Sequence, residues 1–165
     1  MTSIQKEIKQ SKPFASKSQE AAVALLRTAD LIRRNVAAVL EPYDITAQQY
    51  NVLRILRGAG EKGLPTLEIV ERLIEETPGI TRLIDRLEAK ELVARERCLT
   101  DRRQVFCRIT KTGLKVLTQL DKPLNSAEEE ALGRLKKREL EELVDLLDRA
   151  REALNQQLAV SRRTK

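Results

Sequence analysis

Between residues 66 and 110 the apolar spacing of the chain switches from the period of a helix to that of a strand, and this switch narrows the folds open to it. Residues 66–73 and 77–90 both read as short amphipathic helices, and only Ile74-Glu75-Glu76 stands between them. So short a linker makes the two helices meet across a tight turn, the arrangement of a helix-turn-helix. Thr77-Pro78 reads as the start of the second helix, with threonine as N-cap and proline at the first helical position. From Val93 the period falls to two, and RERCLTDRRQVFCRIT (Arg95 to Thr110) predicts a hairpin. With Thr100 to Arg103 as a four-residue tip, Leu99 opposes Gln104 and Cys98 opposes Val105. That register sends Ala94, Cys98, Val105, Cys107 and Ile109 to the core face and Arg95, Arg97 and Arg108 to the other.

Everything outside this segment is helical or polar. Residues 1–18, rich in lysine and serine and carrying Pro13, read as a flexible N-terminal arm. In 19–45, Leu25, Ala29, Ile32, Val36, Val39 and Tyr43 recur at steps of four and three, a narrow seam that Pro42 ends. Thr46 and Gln49 have the spacing of a capping box for a helix running to about Arg57. Gly58, Gly60 and Gly63 then break the chain. In 113–165 a helix with a kink at Pro123 is followed by a last helix whose seam is Leu140, Leu143, Leu147, Ala150 and Leu154. The expected fold is mainly α with one small β-hairpin: a winged helix-turn-helix at 46–112, flanked by N- and C-terminal helices. Seams at both ends leave too much apolar surface for a lone domain, and an isologous two-fold dimer would cover them.

Composition excludes more than it proves. There is no histidine, which removes the commonest general base and the commonest metal ligand, and we expect neither a metal nor a cofactor. No convergent nucleophile or acid–base pair suggests an enzyme. Aromatic residues are 2%, so the core must be aliphatic. No apolar run approaches the ~20 residues of a membrane span, and we expect no signal peptide and a cytoplasmic protein. The net charge is +6, and residues 92–112 hold most of it: Arg95, Arg97, Arg102, Arg103, Arg108 and Lys111 against Glu96 and Asp101. A polyanionic partner suits that distribution.

On the second short helix, Ile80, Leu83, Ile84 and Leu87 form a stripe for burial, leaving Thr81, Arg82, Asp85 and Arg86 opposite. Thr77 and Gly79 at its start allow close approach to a groove, and Arg82 and Arg86 lie one turn apart, within reach of base edges or backbone oxygens. By itself this face reads equally well as a solvated surface in which Asp85 pairs with Arg82. The hairpin tip favours the first reading. Arg102 and Arg103 suit a minor groove, where a guanidinium meets concentrated negative potential, and Asp101 is placed to pair with Arg103 and hold it extended.

The order of these parts resembles the MarR (multiple antibiotic resistance) regulators. The matching pieces are ITAQQYNVLRIL, then TLEIVERLIEETPGITRLIDRLEAKELVARERCLTDRRQVFCRITKTG, then ELEELVDLLDRARE, and the likeness covers roughly residues 20–155. It implies an obligate homodimer with interleaved terminal helices that binds a pseudo-palindromic double-stranded operator. It also implies repression relieved by a small-molecule effector or by cysteine oxidation. Carried over, Thr77, Gly79, Thr81, Arg82 and Arg86 enter the major groove, Arg103 the minor groove, and Arg102 contacts the backbone. Two departures stand out: Glu91 occupies a position where the family usually has glycine, and Lys136 replaces the usual serine or threonine cap of the last helix.

Two rival readings stay open. One is a helical dimerisation module whose wing contacts protein. The other is a redox-switched regulator using Cys98 and Cys107, although the family's peroxide sensors carry their cysteine in the first helix, where this chain has none. We read both thiols as structural and expect no intrachain disulfide.

Overall fold

The computed structural model describes residues 3–75, 78–97 and 105–163. Its residues fall into two units, 1–127 and 128–165.

The first unit begins with a short helix, α1 (Ser3–Glu7), inside the segment expected to be an arm. Gln5 is buried there and donates from Nε2 to the Lys12 carbonyl, while Glu7 accepts from Arg27 at 2.7 Å. Helix α2 (Lys17–Leu40) starts where Ser16 accepts from the Gln19 N–H, two residues before the expected start. It passes into a single 3-10 turn, Glu41–Tyr43, in which Pro42 fits because its missing N–H has no helical partner to lose. Helix α3 (Ala47–Ala59) carries the expected capping box: Thr46 accepts from the Gln49 N–H, and Gln49 accepts in return from the Thr46 N–H. Gly58 does not break this helix; Gly60 and Gly63 follow it with positive φ.

Gly63 then makes possible a strand that the sequence hides. An added Cβ there would sit 2.4 Å from the Cys107 carbonyl oxygen, so only glycine lets the chain run so close to its neighbour. The next two residues form β1 (Leu64–Pro65). After it come α4 (Thr66–Arg72), α5 (Ile80–Ala89), β2 (Val93–Arg97), β3 (Val105–Ile109) and α6 (Lys111–Leu132), the last with Pro123 in its interior. The expected hairpin is therefore part of a three-stranded antiparallel sheet ordered β1-β3-β2, with β3 central.

The hairpin register differs by one residue from expectation: Arg97, not Cys98, lies opposite Val105, and Arg95 lies opposite Cys107. Because side chains alternate, a one-residue slip exchanges the two faces of a strand. Ala94 is exposed instead of buried, and Arg95 shares the core side with Cys107 and Val93. Arg108 remains on the outer face, so Arg95 and Arg108 are not neighbours on one surface.

The core is aliphatic, as composition required. Leu40, Val52, Leu53, Leu56, Ile69, Leu87, Cys107, Leu117 and Leu120 have no exposed surface, and Tyr43 and Tyr50 lie at its edge. Arg57 on α3 holds Asp121 on α6 through two 2.9 Å contacts to its carboxylate.

In the second unit, α7 (Lys137–Arg163) has no hydroxyl cap. Its start is held from the other direction, since the Lys136 N–H donates to the Glu139 carboxylate at 2.7 Å, half of a capping box. Val144, Leu146, Leu154, Leu158 and Val160 are exposed along it.

Candidate nucleic-acid interface

Helix α5 starts later than its sequence suggests. Gly79 is its N-cap, with φ 90° and ψ 37°, and such left-handed backbone cannot belong to a right-handed helix. Pro78 and Gly79 therefore form a turn, and the expected start at Thr77-Pro78 is corrected to Ile80. An added Cβ on Gly79 would touch nothing within 4 Å, so glycine is needed there for its backbone angle, not for space.

The helix divides as its periodicity requires. Leu83, Ile84 and Leu87 are buried and Ile80 packs against them, while Thr81, Arg82, Asp85 and Arg86 are exposed. Neither Arg82 nor Arg86 has an ion-pair partner among the described residues, and Asp85 does not pair with Arg82. Thr77, Asp101, Arg102 and Arg103 lie outside the described residues, as does Cys98.

Asp85 is taken by the wing. Arg95 on β2 reaches its Oδ1 at 2.7 Å from Nη1 and donates from Nε to Glu88 Oε2 at 2.8 Å, with Nη2 on the same oxygen. Asp85 and Glu88 are three apart on α5, so they lie side by side and one guanidinium spans both. The hydrogen bond from Arg95 holds the Glu88 carboxyl below its ordinary range, and the same bond raises the already high Arg95 value. The bridge is hidden from the sequence because the expected register turns Arg95 outward, whereas the observed one sets it opposite Cys107. A signal was present: two acids three apart on a helix that leads directly into an arginine-bearing strand.

The junction between α5 and β2 carries the substituted glycine. Glu91 adopts φ 57°, its N–H donates to Glu88 O at 2.8 Å, and the Leu92 N–H donates to Leu87 O at 2.9 Å. These two bonds form a Schellman motif, whose left-handed position normally holds glycine. The departure thus leaves the motif intact and strains one glutamate. Lys90 beside it donates to Asp44 Oδ2 at 2.7 Å and to the Asp44 carbonyl, tying the end of α5 to the turn after α2. In the segment between α4 and α5, Glu75 contacts Arg33 of α2 at 3.2 Å.

Across the outer face of the wing, Arg108 pairs with Glu96 at 2.6 Å. Two arginines counted in the local charge surplus, Arg95 and Arg108, are therefore engaged within the protein. Cys107 is fully buried with its Sγ 3.8 Å from Thr66 Oγ1, and burial pushes its thiol up. A cleft of about 260 Å³ opens between β1, α4, α5 and the wing, lined by Pro65, Leu67, Thr81, Ile84, Arg95 and Val105 among others. Among the described residues no group of His, Cys, Asp or Glu could hold a metal ion, and no helix is long and apolar enough to cross a membrane.

A helix with an exposed basic face, set in a helix-turn-helix and followed by a three-stranded wing, defines a winged helix-turn-helix protein. The profile described as "Transcriptional regulator SarA/Rot" matches residues 35–120. The transcriptional regulator HosA of Escherichia coli O157:H7 is 32% identical over 104 residues, 63% of this chain and 76% of that one. A crystal structure of a MarR transcription factor from Planctomyces limnophilus is 40% identical, with a TM-score of 0.65, covering 82% of this chain and 98% of that one. The chain shares its fold, at a TM-score of 0.75 and 24% identity, with a mutant MarR from Escherichia coli complexed with operator DNA, covering 84% of this chain and 99% of that one. The chain belongs to the MarR family of winged helix-turn-helix transcriptional regulators. It is a DNA-binding regulator of transcription, and not an enzyme.

Proposed function

We propose that this regulator is a cytoplasmic homodimeric repressor of a pseudo-palindromic operator, released by a small molecule. The observation that carries the reading is the exposed, unpaired pair Arg82 and Arg86 on α5, one turn apart and clear of acidic partners among the described residues. In this reading Thr77, Gly79 and Thr81 let the helix approach the major groove, Arg82 and Arg86 contact it, Arg102 touches backbone, and Arg103 enters the minor groove, steadied by Asp101. The operator complex of the E. coli MarR relative supports the mode of binding. Exposed Leu25 and Leu31 on α2, and exposed Val144, Leu154 and Leu158 on α7, support a dimer that covers them. The cleft beside Arg95 and Thr81 supports a small effector, since an occupant there would touch recognition helix and wing together.

The test begins with the duplex that the purified protein selects from a random pool. Arg82→Ala should cost about 1–3 kcal/mol on that duplex and relax discrimination at one position of each half-site. Arg103→Ala should weaken scrambled and selected duplexes alike and lower the salt slope by about one. Unchanged binding by both variants would remove α5 and the wing from the interface and revive the protein-contact reading. Sedimentation should show no folded monomer at micromolar concentration.

A further inference from the structure

The exposed face of α5 mixes two arginines with an aspartate, and Asp85 follows Arg82 by three residues. On a helix that spacing brings a carboxylate and a guanidinium into contact, which would neutralise Arg82. The pair does not form, because Asp85 Oδ1 is held 2.7 Å from Arg95 Nη1 while the rest of that guanidinium binds Glu88. All three side chains are partly exposed: Arg95 is 30%, Glu88 38% and Asp85 49% accessible. Ion pairs so exposed add little to folding stability. Their consequence lies in which charges the helix leaves for a partner.

We infer that Arg95 is a positioning residue for DNA recognition: by drawing Asp85 and Glu88 to the wing side of α5, it keeps Arg82 unpaired and free to reach the duplex. This rests on the reading that α5 faces DNA. Arg95 itself touches no phosphate. Its second effect is to fix β2 to α5 at two points, so that wing and recognition helix meet the duplex as one body. A guanidinium is required because its fork reaches two carboxylates in different directions, whereas a lysine ammonium is a point charge.

The experiment uses full-length protein and the duplex selected by the wild type. Arg95→Met should weaken that duplex by about tenfold, with scrambled duplex affected less, because the lost contact is the base-reading one. Its salt slope should match the wild type, since no phosphate contact is removed. Asp85→Asn is then added in both backgrounds. If Arg95 acts by keeping Asp85 away from Arg82, the second change restores most of the binding lost by Arg95→Met and gains much less in the wild type. An equal gain in both backgrounds, or no rescue, overturns the inference and leaves Arg95 a simple brace. A slope lowered by about one also overturns it, by making Arg95 a phosphate contact. Arg95→Lys should fall between wild type and Arg95→Met, and it carries the same comparison if Arg95→Met melts early. Should the wild-type protein itself select no duplex, the proposed function fails together with this inference; wild-type binding with an unaffected Arg95→Met defeats the inference alone.

Discussion

Glu91 and Gly63 show how much one backbone angle can decide. Glu91 sits at φ 57° in a position that suits glycine, and the left-handed region costs a residue with a Cβ about 1–2 kcal/mol. Glycine recovers that cost but adds freedom to the unfolded chain, so Glu91→Gly should gain about 1 kcal/mol, or roughly 3 °C in Tm, in a thermal melt. A melt unchanged or lowered would mean that the glutamate side chain contributes something its backbone strain conceals. Gly63→Ala should move the other way, losing about 2 kcal/mol or more, because the new methyl meets the Cys107 carbonyl and the Arg108 side chain within 2.5 Å. Cys107 makes a third residue-scale case. Burial favours its neutral thiol, so the folded value lies above the unfolded one. The stability this represents is present below about pH 8.5, the ordinary thiol value, and is lost as pH rises through the folded one. Alkylation of folded protein at pH 8 should therefore leave Cys107 unmodified while the denatured chain reacts.

Among the elements, helices were legible in the sequence and strand pairing was less so. The capping box of Thr46 and Gln49 and the stripe of Leu83, Ile84 and Leu87 follow from local periodicity, which the final packing preserves. Strand β1 could not be read that way: it is two residues long, one of them proline, and exists only because Gly63 brings it against β3. The register of β2 on β3 depends on a loop length that spacing alone leaves open by one residue, and that residue decides whether Arg95 faces solvent or α5. The start of α5 was misplaced for a related reason. A Thr-Pro pair signals a helix start, but Pro-Gly signals a turn, and the left-handed angle of Gly79 decides for the turn. The exposed face of α5 that carries Thr81, Arg82 and Arg86, with Gly79 at its start, is legible in the sequence; the Arg95 bridge is not. That bridge has its own pH signature. Because the folded Glu88 value is depressed, its contribution is present above about pH 4.3 and is lost as pH falls through the folded value. The pair is partly exposed, so the effect is small: melts of wild type and Glu88→Gln should differ slightly near neutrality and converge in acid, and a constant gap from pH 7 to pH 3 would show that the carboxylate's charge is not what matters.

For the whole molecule, the net charge of +6 says less than its placement. Arg95 and Arg108 belong to the wing's basic surplus, yet each is held by carboxylates within the protein. Arg108→Ala should consequently lower stability modestly and leave the salt slope of duplex binding where it was. A slope reduced by about one would make Arg108 a phosphate contact after all. The sheet that carries these arginines has a further property, one that matters where many copies crowd along a single nucleic acid. An open strand edge offers its backbone as a template on which a strand from another molecule can add. On one side this sheet ends in β1, two residues long, where Pro65 supplies no N–H and α4 begins at once; on the other it ends in β2, which is dense with charge. The first border is too short to give an incoming strand a run of bonds, and the charges along the second discourage one from settling there. Substituting Pro65 by valine would return a donor to that border, and light scattering of concentrated protein should then rise with time.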